Sequence, residues 1–153
     1  MTAKVIAIYI SPAAEAPMQS VPEAHLEAGR GIVGDRYYLE TGTFSEKLKQ
    51  KPEKEVTLVE SEQIAYYRRI TGMSLDNGAL RRNIVTEGID LNSLVRRRFR
   101  IGEAALEGIR LCEPCKHIAG LVAKEVLTEM VQRAGLRAAI ISDGTVRVAD
   151  IVV

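Results

Sequence analysis

The sequence predicts a mostly β, α+β domain of short, largely antiparallel strands with two main helices. Three observations point there. About seven or eight short runs rich in β-branched and aromatic residues are bounded by Gly, Pro, Asn or Asp. Only two segments carry helical spacing. No regular strand–helix–strand rhythm runs through the chain, which argues against a parallel α/β sheet and for a β-barrel or α+β arrangement. The 153 residues are about the length of one domain, so residues 1–153 are expected to form a single unit.

"KVIAIYI" (4–10) is the first strand, ending at Ser11-Pro12. In 20–38, Val21, Ala24, Leu26 and Ala28 largely alternate before a turn marked by Gly29, Gly31 and Gly34. Those glycines have G-x-G-x-x-G spacing, but no strand–turn–helix unit follows, so a nucleotide site is not expected. Residues 40–54 are polar and charged and read as a long loop or mobile flap. "EVTLVE" (55–60) is a short strand. "SEQIAYYRRITG" (61–72) reads as a helix with Ser61 as N-cap, Arg68 and Arg69 in the last turn, and Gly72 as its stop. "RRNIVTEG" (81–88) is strand-like, and "IDLNSL" a turn with a short helical piece. "RFRIGEAALEGIRL" (98–111) reads as two strands around Gly102-Glu103. Ile118, Leu121, Val122, Val126, Met130 and Val131 predict a second helix from about Lys116 to Ala134, stopped by Gly135. Asp143-Gly144, between "LRAAIIS" and "TVRVADIVV", predicts a hairpin.

Twenty-one basic and 20 acidic residues give a formal charge of +1. That balance argues against a nucleic-acid binder working mainly through counterion release, though it leaves room for a local basic patch. No apolar run approaches the roughly 20 residues of a membrane helix, and the first residues read as a strand and not a signal peptide. Two cysteines are too few for a secreted disulfide framework, so a cytoplasmic protein with reduced thiols is expected.

Both cysteines lie in "RLCEPCKHI" (110–118). Four readings compete. Both can be small buried hydrophobes. Zinc would need four ligands, and only Cys112, Cys115, His117 and distant His25 are at hand. A thiol–disulfide exchange pair belongs near the start of a βαβ unit, not three quarters along a β-rich chain. The fourth reading is a single working sulfur at Cys115, which can hold a metal cofactor or a persulfide. Cys115 is placed at a predicted helix start, with Lys116 and His117 following and Pro114 setting the entry, and such surroundings favour a reactive sulfur. Cys112, at a strand end, is expected nearer the core.

An anionic ligand needs partners such as guanidinium forks. Arg96, Arg97 and Arg98 read as a solvated face. Arg82-Asn83 differ because they open an apolar strand, and Arg137 follows the predicted helix stop. Gly34-Asp35-Arg36 reads as a turn with an ion pair.

Taken in order, "GIVGDRYY" (31–38), "VTLVESE" (56–62), "RRNIVTEGIDLNSLVRRRFRIGEAALEG" (81–108), "LCEPCKHI" (111–118) and "RAGLRAAIISDGTVRVADIV" (133–152) resemble the MOSC domain, shared by the C-terminal part of molybdenum-cofactor sulfurase and by small stand-alone bacterial proteins. The resemblance implies a β-barrel fold and a cysteine carrying sulfur for metal–sulfur or cofactor assembly. In relatives that reduce N-hydroxylated compounds, the second cysteine of a C-x-x-C stretch ligates molybdenum of the pterin cofactor, and it maps to Cys115. Asp35, Arg36, Arg82, Asn83 and Arg137 match polar positions of the family, and Lys116 and His117 join the candidate set beside Cys115. The larger relatives carry an N-terminal β-barrel domain, a pyridoxal-phosphate desulfurase domain or a His-Gly-Gly segment after Gly-Asp-Arg. The 40–54 loop stands in place of the last.

Two function classes follow. One is an enzyme or sulfur carrier, in which Cys115 holds a persulfide or molybdenum and Arg82, Asn83 and Arg137 bind the anion. The other is an anion-binding adaptor without chemistry of its own, docking a cysteine desulfurase or molybdoenzyme partner.

Overall fold

The computed structural model describes residues 2–153. Ten strands form two sheets: β1 (Lys4–Ile10), β2 (Gln19–Ser20), β3 (Glu23–Glu27), β4 (Gly31–Ile32), β5 (Val56–Glu60), β6 (Ile84–Glu87), β7 (Arg98–Ile101), β8 (Ala104–Leu111), β9 (Leu136–Ser142) and β10 (Gly144–Arg147). The larger sheet has the order β2-β1-β6-β5-β9-β8-β7 and curls into a half-barrel. The smaller has the order β10-β3-β4. The α+β, barrel-like class expected from the sequence is what forms. The β7–β8 hairpin around Gly102-Glu103 is also as expected.

Alternation along the central strands builds two cores. Val56 and Leu58 of β5 and Ile84 of β6 enter the core enclosed by the sheets. Val59 and Val85 point the other way, into a core shared with the helices. Strands buried on both faces read as continuous apolar runs, which is how "VTLV" and "NIV" look.

Three details differ from the sequence reading. β5 and β6 pair in parallel, joined by α1 (Ser61–Thr71), so one strand–helix–strand crossover sits inside an otherwise antiparallel sheet. The N-cap of α1 is Glu60 and not Ser61, while Gly72 ends the helix in the left-handed region as expected. The expected helix over 116–134 is broken into α2 (Lys116–Leu121) and α3 (Val126–Glu129). Ile118, Val126, Met130 and Ala134 are buried in the outer core, which preserves an apolar face, but Leu121 and Val131 are half exposed. Gly120 and β-branched Val122, both weak helix formers, lie where the helix stops.

The Asp143-Gly144 hairpin does not form either. β9 and β10 belong to different sheets, and Gly144 pairs with Leu26 of β3. Asp143 instead accepts from the Ala28 amide at 2.7 Å. A Cβ on Gly144 would lie 2.5 Å from the Glu103 carbonyl carbon, so glycine here serves a close crossing of chains. The last residues return to the first strand: Lys4 bridges Ile151, and the Val152 amide donates to the Ala3 carbonyl at 3.0 Å.

Candidate functional site

The site lies at one end of the central strands, where β8 runs into Cys112, β9 starts after Gly135, and Arg82 leads into β6. A cavity of about 250 Å³ opens there. Of the residues singled out in the sequence, Arg36, Arg82, Cys115, His117 and Arg137 line it, whereas Asp35, Asn83 and Lys116 do not.

Arg82 is buried and acts first as a brace. Its Nε donates to the Ala134 carbonyl at 2.8 Å, Nη1 to Leu80 at 3.0 Å and Nη2 to Cys112 at 3.1 Å. Three of the five guanidinium N–H groups thus tie three chain segments together. Gly135, beside this brace, allows a close approach of β5. Its φ is +125°, and a Cβ there would lie 2.2 Å from the Leu58 carbonyl oxygen. Asn83 is a stitch. Its Oδ1 accepts from the Thr57 amide and hydroxyl, both at 3.1 Å, and its Nδ2 donates to the Tyr9 carbonyl at 3.1 Å.

Asp35 is also buried. It accepts from the Ser11 amide at 3.1 Å and pairs with Arg36 at 3.0 Å. Arg36 passes the contact on, donating to the Arg81 carbonyl at 3.0 Å. Arg81 in turn donates to the carbonyls of Ala14 and Ala16 at 2.8 and 2.9 Å. Burial, reinforced by the Arg36 charge, lowers the Arg81 guanidinium below its ordinary value. Gly-Asp-Arg is therefore a turn with an ion pair that also supplies one cavity wall.

Arg137 is different. Its Nε is buried and has no hydrogen-bond partner. A buried donor left unmade costs on the order of 1–3 kcal/mol, and other parts of the Arg137 side chain line the cavity. Six basic side chains line the space (Arg36, Lys47, Arg81, Arg82, Arg110 and Arg137) against one acid, Glu113. Arg36 pairs with Asp35 and Arg110 with Glu53. Lys47, Arg81, Arg82 and Arg137 make no ion pair among the described residues.

The two sulfurs are unequal, as expected. Cys112 is 2% exposed, and its amide donates to the Gly135 carbonyl at 2.8 Å. Cys115 is half-buried, with an extended backbone (φ −135°, ψ 169°) just before α2. No turn or bend occurs between them. Both thiols are free. A metal cluster of three or more His, Cys, Asp or Glu residues is absent among the described residues.

The 40–54 segment forms a cavity wall. Thr43, Phe44, Lys47 and Leu48 line the space. Leu48 is buried, its amide donating to the Phe44 carbonyl at 2.8 Å. Phe44 packs edge-on to His117, with centroids 6.2 Å apart, and Thr43 Oγ1 lies 3.5 Å from His117 Nε2. Sequence reasoning missed Lys47, Phe44 and Arg110. The available signal was Phe44 and Leu48, two apolar residues four apart in a charged stretch.

No helix among the described residues is long and apolar enough to cross a membrane. No curated protein sequence matches the chain. Crystal structures similar to it include YuaD from Bacillus subtilis (TM-score 0.83, 19% identity, covering 99% of this chain and 94% of that one). YiiM from Geobacillus stearothermophilus is similar at TM-score 0.76 and 12% identity, over 99% of this chain and 74% of that one. YiiM from Escherichia coli follows at TM-score 0.67 and 18% identity, over 97% and 68%. These likenesses concern the fold. The family model described as MOSC domain matches residues 45–153, which include the cavity residues from Lys47 to Arg137 but not Arg36, Tyr37, Thr43 or Phe44, and the chain thus belongs to the MOSC domain family.

Proposed function

We propose that the protein handles sulfur or a sulfur-anchored cofactor at Cys115, inside an anion-binding cavity. Two forms of this chemistry share the same residues: a persulfide carrier, and a thiolate ligand to molybdenum of the pterin cofactor. The observation that carries the reading is Arg137, a buried guanidinium nitrogen without a partner in the same cavity as a half-buried thiol.

As a persulfide carrier, the Cys115 thiolate attacks the outer sulfur of a donor persulfide. The donor's S–S bond breaks, the donor leaves as thiolate, and Cys115 keeps the transferred sulfur. The surrounding guanidinium groups offset the charge of the persulfide anion. The cytoplasm is the proposed compartment, because its reducing conditions keep both cysteines as thiols.

The family also implies the molybdenum cofactor, and the donor set fits its anionic end. Guanidinium groups match phosphate geometry. Arg137, Lys47 and the two remaining N–H groups of Arg82 would hold the phosphate, and Cys115 would supply the thiolate. When bound, the cofactor supplies redox chemistry at molybdenum. The chain's own part is to position the thiolate through the Arg82 brace and to limit water with Phe44 and Leu48.

The test compares wild type with Cys115→Ser, each expressed anaerobically with cofactor supply and analysed for molybdenum, pterin and persulfide. We expect bound molybdenum or a Cys115 persulfide in wild type and neither in the variant. Equal loading of both proteins would remove Cys115 from the site.

A further inference from the structure

The persulfide form needs a sulfur source, and the cavity's size and charge select its class. We propose that thiosulfate is a sulfur-donating substrate of this site, which makes the protein a thiosulfate sulfurtransferase acting through Cys115. The proposal rests on the persulfide reading above.

Size is the first argument. At about 250 Å³ the cavity lies below the roughly 300–1,000 Å³ of sites for drug-sized ligands. Its wall includes Phe44, packed against His117, and buried Leu48. Thiosulfate is a few atoms across and fits such a space.

Charge is the second. Lys47, Arg82 and Arg137 face the cavity without an ion-pair partner among the described residues. Thiosulfate is a dianion whose sulfonate end offers the oxygen acceptors that guanidinium forks bind, and Arg137, whose Nε has no partner in the protein, is one of the lining guanidinium groups. Its outer sulfur is the atom a thiolate attacks.

The step balances. The Cys115 thiolate attacks the outer sulfur of thiosulfate. The S–S bond breaks with its electron pair leaving on sulfite, and Cys115 becomes a persulfide. No external oxidant or reductant is consumed. Sulfite leaves as a dianion, so the cations that bind the substrate also stabilise the leaving group. Cyanide, used as an assay acceptor, then takes the transferred sulfur as thiocyanate and restores the thiolate.

The experiment incubates the reduced protein anaerobically with thiosulfate and follows sulfite release, the intact mass and thiocyanate formation on adding cyanide. The expected result is one added sulfur atom on the Cys115 peptide, matched by released sulfite, and none in Cys115→Ser. Arg137→Gln and the exposed-site variant Lys47→Gln should each raise the thiosulfate concentration for half-maximal loading by about tenfold. Alkylation of Cys115 by neutral iodoacetamide in the same variants measures the thiol's own reactivity, against which the change in thiosulfate dependence is scaled. If inorganic polysulfide loads Cys115 and thiosulfate does not, the thiosulfate proposal is overturned and the persulfide reading stands. If neither loads it, the persulfide reading itself is lost. Unchanged thiosulfate dependence in both charge variants also overturns the proposal.

Discussion

The Arg82 guanidinium holds the carbonyl oxygen of Cys112 at 3.1 Å while two of its other nitrogens hold Leu80 and Ala134. One side chain thereby fixes the start of the cysteine segment relative to β6 and the approach to β9. Arg82→Lys should lower stability by about 2–4 kcal/mol, because a single ammonium cannot serve three carbonyls in fixed directions. Urea unfolding measures the loss. Faster alkylation of Cys112 in the folded variant would show that the brace positions the segment; wild-type stability would refute the brace.

Asn83 closes a three-strand stitch through Thr57 and Tyr9. Asn83→Ala leaves the Thr57 amide and the Tyr9 carbonyl with one partner fewer, at a cost of about 2–3 kcal/mol. Thermal denaturation should register it, with thiosulfate affinity unchanged once the protein is folded, since Asn83 does not line the cavity.

Gly135 sits at φ +125°, and its missing Cβ would meet the Leu58 carbonyl oxygen at 2.2 Å. Gly135→Ala is expected to cost several kcal/mol through strain and collision together. Soluble yield and melting temperature report it. A fully stable alanine variant would contradict the close packing of β5 on the start of β9.

Glu55 carries a pH signature. Its Oε1 accepts from the Gly29 amide at 3.1 Å and the Ile140 amide at 3.0 Å, and burial pushes its carboxyl above the ordinary value despite those bonds. Burial raises Glu60 in the same way. A raised folded-state value means the native state holds the proton more tightly than the unfolded chain. The stabilisation is complete below the ordinary carboxylate range and is lost as pH rises through the raised value. Glu55→Gln keeps the accepting oxygen and removes the charge. The variant should melt higher than wild type near neutral pH, with the difference shrinking on titration toward about pH 4.

Much of the architecture was legible because β-branched runs and turn residues are local signals. The β7–β8 hairpin and the glycine stop of α1 follow from their own residues. The parallel β5–β6 pair was not legible, since one crossover leaves no repeating pattern. The break between α2 and α3 was hidden because Ile118, Val126, Met130 and Ala134 keep an apolar face across it. At the site, the expectation that Cys112 lies nearer the core than Cys115 agrees with their burial. The duties of Arg82 and Asn83 toward backbone carbonyls and amides depend on partners far along the chain, and so does the delivery of Lys47 by a loop that composition marks only as charged.

The meeting of Ala3 with Val152 gives the chain a property of a different kind. Because Ala3 and Val152 are hydrogen-bonded neighbours, a short linker can join these two points without crossing the sheet, and the backbone can be reopened in the exposed segment 72–74, away from the cavity. A circular permutant built this way should fold to the same half-barrel. The same adjacency lets the unit be spliced into a surface loop of a host protein, carrying its thiol cavity with it.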